Sequence, residues 1–214
     1  MKNTVVLEMI NDGKIDRLKE LLQEEIYKDS LKGNGNSNQR YSAMKRFFKY
    51  GDASAAYNPD SIRYPCLDVE IGNEVYNSFC DSRCFALTTE NIGTINTFDK
   101  SKYKYFDMNS IVNFDTESKE SLNLNRVLAD AKSKGYQYKK SEFEKYFIRY
   151  KDTYYRVELL DKAYSIVNDG ELAEVYYNGK VSVLLIKTSI GIAGVMPIRL
   201  VDFKDEYVII DVHW

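Results

Sequence analysis

The chain has 214 residues, a formal net charge of −2 and a mean hydropathy of −0.45. That length suits one large domain or two small ones with a proper core, and the near-neutral balance means that nucleic-acid contact has to come from local clusters of cations. A single histidine and three cysteines without zinc spacing (Cys66, Cys80, Cys84) argue against a His-based metal centre, and the odd cysteine count argues against a secreted disulfide framework.

Glu8, Asp12, Lys14 and Asp16 break any signal-peptide apolar region, which points to a cytoplasmic protein. Ile15, Leu18, Leu21, Leu22 and Ile26 recur at helical spacing, so an amphipathic helix of three to four turns is expected there. The polar stretch after it, with Gly33 and Gly35 among asparagines, reads as a loop followed by a short basic aromatic segment. From Tyr64 the pattern changes to strands. Cys66 to Ile71 alternates, Gly72-Asn73 turns and Val75 to Phe79 returns. Phe85 and Leu87, then Ile95 and Phe98, complete a four-strand meander.

A polar, acidic segment follows near Asp115 to Glu120. Leu124, Val127, Leu128 and Ala131 predict a helix closed by Gly135, and Ser141 with Glu144 is spaced as a capping box for another. Val157, Leu160, Ala163, Tyr164 and Val167 mark a third helix, ended by Asn168-Asp169-Gly170. Asn178-Gly179 predicts a hairpin between Ala173–Tyr177 and Val181–Lys187, and Ile192–Val201 and Tyr207–Val212 are further strands. The nearly uncharged stretch from Lys180 to Leu200 is too interrupted to span a membrane. Lys187, a turn at Thr188 to Gly191, Pro197 and Arg199 divide it into two short buried strands.

Helix followed by meander occurs twice, and two local motifs accompany that order. Phe79-Cys80-Asp81-Ser82-Arg83-Cys84-Phe85-Ala86-Leu87 resembles a Thr-Asp-X-X-Arg-Leu strand of bacterial DNA sliding clamps (DNA polymerase III beta subunits), with Cys80 where threonine is usual. Val195-Met196-Pro197-Ile198-Arg199-Leu200 is similar to the Met-Pro-Met-Arg-Leu ending of that family. The resemblance implies an α+β fold with helices on one face of antiparallel sheets. Asp81, Arg83, Met196, Pro197, Arg199 and Leu200 would be its structural motif positions. Bacterial clamps carry three such domains, whereas this chain has room for one, spanning residues 1–214. Insertions are expected at about 29–63 and 99–151, and an extension at about 201–214. A reduced phage or mobile-element homologue acting in DNA replication is what this implies. In the bacterial clamp the carboxy-terminal segment borders the pocket for partner peptides, and an added strand alters that border.

A clamp ring turns its helices toward duplex DNA, so Arg17 and Lys19 on the first helix are candidate contacts, beside Glu20, Glu24 and Glu25. The later helix, with Lys162 against Glu158 and Asp161, reads as a solvated face of mixed charge. The stronger candidate is the basic segment with Lys28, Lys32, Arg40, Lys45, Arg46 and Lys49. Aromatics interleave there that could stack bases or pack into the core. Lys132, Lys134, Lys139, Lys140 and Lys145 are explained by a helix carboxy terminus. Asp81 and Arg83 share a strand face and read as an ion pair or turn hydrogen bond. No catalytic residue, metal or cofactor is expected, because no nucleotide loop, nucleophile elbow or metal triad is present. The expected partners are duplex DNA, replication proteins or further copies of the chain. The alternative is a protein-binding module or decoy that uses the fold without touching DNA, and an enzyme of unknown type ranks last.

Overall fold

The structure is a computed structural model that describes residues 3–16, 18–19, 22, 35–49, 66–81, 83–90, 108–112, 114, 118–200 and 204–212. Its helices are α1 (Asn3–Asn11), α2 (Gly35–Lys49), α3 (Met108–Ile111), α4 (Leu124–Ser133) and α5 (Val157–Val167). Its strands are β1 (Cys66–Ile71), β2 (Glu74–Cys80), β3 (Cys84–Thr88), β4 (Lys119–Leu122), β5 (Tyr146–Tyr150), β6 (Thr153–Arg156), β7 (Ala173–Tyr177), β8 (Leu184–Thr188), β9 (Gly191–Val195) and β10 (Val208–Asp211). The expected α+β class is observed.

Seven strands form one antiparallel sheet in the order β1-β2-β3-β9-β8-β7-β4. Two runs of helix and three strands, α2-β1-β2-β3 and α5-β7-β8-β9, meet where β3 pairs antiparallel with β9. The sheet order is therefore the same outward from that seam on both sides, and β4 extends one end. Helices α2 and α5 pack side by side on one face of this sheet. Ala43, Met44 and Phe47 of α2 enter the same core as Leu160, Ala163 and Val167 of α5, and the Phe47 ring lies 5.9 Å from Phe79.

The apolar character of Lys180 to Leu200 follows from this position. Strands β8 and β9 lie inside the sheet, and both sheet faces are covered. Leu184, Ile186, Ala193 and Val195 face the helices. Leu185 and Ile192 face a second core that includes Met108 of α3 and is flanked by Phe114. A strand buried on both faces needs no polar alternation. Among the described residues, no helix is long and apolar enough to cross a membrane.

Close approach of β3 to β9 requires glycine at two positions in β9. A Cβ on Gly191 would run into the Leu87 carbonyl oxygen and come within 2.8 Å of Val167 Cγ1, and one on Gly194 would enter the Phe85 ring. Gly191→Ala is expected to cost about 2 to 3 kcal/mol of stability, measured by urea denaturation, because the opposing atom is backbone and cannot rotate away. A loss under about 0.5 kcal/mol would show that the seam is looser than described.

The second sheet has the order β10-β5-β6, with β10 parallel to β5 and β6 antiparallel to it. Helix α5 packs against β5 and β6 of this sheet as well as β3, β9 and β8 of the large one. Every residue of α5 except Ser165 is buried as a result.

Several local expectations are met. The β1–β2 hairpin turns at Gly72-Asn73 with Gly72 at φ 63°. The β8–β9 turn lies between Thr188 and Gly191. Helix α4 buries Leu124, Val127, Leu128 and Ala131, and Gly135 closes it at φ 96°. There the Tyr136 N–H donates to the Ala131 carbonyl and the Gly135 N–H to that of Lys132.

Other expectations are corrected. Gly35–Lys49 is a helix of 15 residues, not a loop, so the region from 29 to 63 contains a structural helix of the first run. Ser141 and Glu144 start no α-helix. A 3-10 turn at Lys140–Glu142 leads into β5, where Tyr146-Phe147-Ile148 favours a strand. The end of the acidic stretch belongs to β4, which pairs with β7. Asn178-Gly179 is part of a six-residue connection, since Tyr177 pairs with Leu184. Strand β9 stops at Val195 because Pro197 has no N–H to donate, and Ile198 makes an isolated bridge to Tyr154. Of the expected helix from 15 to 26, residues 15–16, 18–19 and 22 are helical, and the remainder lies outside the described residues, as do Ile95 and Phe98.

Candidate functional site

Helix α5 carries three ionisable residues at positions i, i+3 and i+4, Glu158, Asp161 and Lys162, on one face. They are 2%, 4% and 6% exposed, which corrects the expectation of a solvated face. Buried charges of this kind need partners, and three other elements supply them. Lys162 Nζ donates to Asp81 Oδ2 in the β2–β3 turn and lies 4.1 Å from the centre of the Phe47 ring. Arg83, in the same turn, reaches Glu158 Oε1 at 3.8 Å. Arg46 of α2 donates to Asp161 Oδ2 at 2.9 Å, and the Tyr136 hydroxyl donates to the same oxygen at 3.2 Å.

Asp81 and Arg83 therefore do not pair with each other through their side chains. Asp81 Oδ1 accepts the backbone N–H groups of Arg83 at 2.7 Å and Cys84 at 2.9 Å, which shapes the turn. Both side chains then bind α5. Burial acts to raise the Asp81 carboxyl, but Lys162 and the two backbone donors outweigh it and hold the group below its usual range. Glu158 goes the other way. Burial pushes it up to about 7 against the pull of Arg83 and Lys162, and its Oε1 accepts no hydrogen bond. Burial also raises the Cys80 thiol to about 12 and that of Cys84 well above its ordinary value. Neither cysteine has the thiolate character of a nucleophile at neutral pH. The lattice fastens α2 and the β2–β3 turn to α5, and none of its carboxylates lines a described cavity.

The basic candidates are dispersed by the fold. Arg40 is 8% exposed, donates to the Asn168 carbonyl at 3.2 Å and lies 3.3 Å from Glu90. Arg46 binds Asp161 and stacks 4.2 Å from the centre of the Tyr138 ring. Both guanidinium groups thus have partners within the protein, Arg40 buried and Arg46 partly exposed. Lys19 is exposed, 3.8 Å from Asp16. Lys45 and Lys49 lie on α2, and Arg17, Lys28 and Lys32 are outside the described residues. The sequence does carry a signal for a fully buried α5: Leu159 and Ile166 lie outside its apolar stripe, and a helix apolar around its circumference is enclosed. The partners of its charges, up to 115 residues away, carry no local signal.

An open trough follows the terminal motif. Its floor is Met196, Pro197, Ile198, Arg199 and Leu200, and its walls are Asp152 to Tyr154 and the β7–β8 connection with Lys180 and Val181. It encloses about 500 Å³ and adjoins a hollow of about 320 Å³ that shares Ile198 to Leu200 and adds Phe147, Arg156, Lys204 and Tyr207. Val181 is 88% exposed and Met196 39%, so the trough carries uncovered apolar surface. Among the described residues, no group of three His, Cys, Asp or Glu side chains could hold a metal ion. No family model, curated protein or solved structure matches this chain.

Proposed function

We propose that this chain is a non-enzymatic, clamp-like protein of DNA replication, from a phage or mobile element, that assembles from several copies and is retained on duplex DNA by encirclement. The observation that supports this reading is the doubled helix-and-three-strand run, with α2 and α5 side by side on one continuous sheet. One domain cannot surround a duplex, so retention requires an oligomer. With Arg40 and Arg46 turned inward, retention is topological, and phosphate contact is left to Lys19, Arg17, Lys28, Lys32, Lys45 and Lys49. Each phosphate neutralised adds about 0.9 to the log–log salt slope.

Light scattering at micromolar concentration, followed by retention on nicked circular against linear duplex, tests the proposal. A ring is held on the circle, slides off linear DNA and shows a shallow salt slope. A monomer that ignores duplex at low salt overturns it.

A specific observation favours a second reading, in which the chain is a protein-binding module or decoy that does not touch DNA. The two arginines of the basic segment are engaged by Glu90, Asn168 and Asp161 of the protein itself, whereas the trough at Met196–Leu200 is open. By the resemblance, that segment borders the pocket that takes partner peptides in bacterial clamps. On this reading the chain is monomeric and inert to DNA in the same assay.

A further inference from the structure

Among the described residues, the two sheets end in β1, β4, β6 and β10. Three of these edges are guarded. The ladder of β1 shifts register between Cys66 and Val69, and the strand carries Asp68 and Glu70. Helix α3 lies beside it, where Asn109 Nδ2 donates to the Glu70 carbonyl at 3.0 Å. The short β4 carries Lys119 and Glu120. At β6 the Ile198 N–H occupies the Tyr154 carbonyl at 2.9 Å. Register breaks, charges and covering segments keep a sheet edge from pairing with another chain.

Strand β10 has none of these guards. Its register with β5 is unbroken from Val208 to Asp211, and it holds no lysine, proline or glycine. Its single charge, Asp211, is bound by Arg149 of β5 at 2.5 Å. The Val208 N–H donates to the Lys145 carbonyl and the Val212 N–H to that of Arg149, so the even-numbered residues bond to β5. Alternation along the strand then directs the N–H and C=O groups of Ile209 and Asp211 away from the sheet. The Ile210 side chain is in the core, with Val208 and Val212 packed against it, whereas Ile209 is partly exposed beside Phe147.

We propose that β10 pairs antiparallel with β10 of a second copy about a twofold axis at Ile209, which joins their small sheets into one. The odd-numbered residues face outward in both copies, so the axis matches every donor with an acceptor. Ile209 exchanges two hydrogen bonds with its counterpart, and the Asp211 N–H reaches the Tyr207 carbonyl of the second copy. This register sets Ile209 against Ile209 and Val208 against Ile210, and it keeps the two Asp211 carboxylates at opposite ends. Glu206, in the turn before β10, comes opposite Val212, and Lys204 and Asp205 of that turn lie beyond the paired segment. A register centred on Asp211 would instead set two carboxylates face to face. The uncharged, β-branched strand that this edge calls for is thus supplied by β10 itself.

The contact lies in the extension after the clamp-like motif. It goes beyond the clamp reading, which asks for several copies and names no surface between them.

Sedimentation equilibrium of the intact chain at high micromolar concentration, together with residue-resolved amide exchange, tests the pairing. The unaltered chain, 24.9 kDa as a monomer, should reach twice that mass. Its Ile209 and Asp211 amides should exchange slowly at high concentration and quickly on dilution. Ile209→Lys sets two ammonium groups against each other at the axis and should weaken the dimer roughly ten-fold or more, whereas Ile209→Val should keep it. Circular dichroism melts establish that both variants are folded. Amide exchange in the unaltered chain decides the question even where Ile209→Lys does not fold.

A monomer overturns the proposal and would leave the edge to a strand of another protein. So does a dimer in which those two amides exchange as fast as in a free peptide, or one that Ile209→Lys leaves equally tight. If the oligomer survives Ile209→Lys and both proteins are retained on circular DNA, the edge pairing falls and the clamp reading stands. A dimer that is lost in Ile209→Lys, with neither protein held on DNA, leaves the β10 contact without the ring.

Discussion

Lys162→Met is expected to lower stability by about 3 to 5 kcal/mol, measured by urea denaturation near pH 7.5. Methionine keeps most of the side-chain volume and removes the charge. Asp81, Glu158 and Asp161 then remain in the interior with Arg46 and Arg83 as their cations. Breaking a buried pair from one side costs this much because the stranded charge cannot rehydrate. Asp81 is the residue most affected, since it is held ionised largely by Lys162. Asp81→Asn in the same chain should therefore return part of the loss, and the non-additivity of the two changes measures their coupling. A loss below about 1 kcal/mol for Lys162→Met alone would mean that water reaches the lattice.

Glu158→Gln is expected to do the opposite and stabilise the protein at pH 8 by about 2 to 3 kcal/mol. Glu158 titrates near 7 in the folded chain against an ordinary 4.5. The folded state therefore takes up a proton before the unfolded chain does. Above about pH 7 the folded protein bears the whole penalty of an ionised, buried carboxylate, on the order of 3 kcal/mol. As pH falls from about 7 to 4.5, that penalty disappears and stability rises by up to about 1.4 kcal/mol per unit. Below 4.5 the contribution is gone. Asp81, whose pKa is lowered, acts in a separate window: its stabilisation is present above its ordinary 3.8 and is lost as pH falls through its lower folded value. Denaturation of wild type and Glu158→Gln at half-unit steps from pH 5 to 8.5 should show a gap that is widest at the alkaline end and closes toward pH 5. Loss of Arg83's partner costs little, because that side chain is half exposed. A constant gap, or a less stable variant at pH 8, would show that Arg83 fully compensates the carboxylate.

What could be read from the residues alone is what depends on near neighbours. Helix α5, the termination of α4 at Gly135, the Gly72-Asn73 hairpin and the β8–β9 turn all follow from periodicity and turn chemistry within a dozen residues. Helix α2 was hidden because Gly35-Asn36-Ser37-Asn38 has the composition of a loop. Tyr41, Met44 and Phe47 recur every three residues, but the helix depends on burying that face, with Met44 and Phe47 in the core shared with α5. Ser141 and Glu144 had capping-box spacing, yet the strand preference of Tyr146 to Tyr150 and its pairing with β6 prevailed. Of the site, the Asp81–Arg83 turn hydrogen bond was within reach, since it spans two residues. The inward rotation of Arg40 and Arg46 was not, because Asn168 and Asp161 lie more than a hundred residues away. The apolar floor of the trough was legible as a motif, while its walls at Asp152 to Tyr154 and Lys180-Val181 come from elements distant in sequence.

The β3–β9 seam bears on how the molecule reaches this state. It joins Cys84–Thr88 to Gly191–Val195 in the middle of the large sheet, so the two halves cannot associate until a loop of about a hundred residues has closed. Each half can form its own hairpins quickly from local contacts, which leaves β3 and β9 as temporarily unpaired, apolar edges. Slow, high-contact-order closure with sticky intermediates follows from that arrangement. At high concentration the β9 of another molecule competes with the chain's own β9 for pairing with β3. Refolding from dilute solution then favours the monomeric seam, and crowded refolding favours exchange of halves between chains.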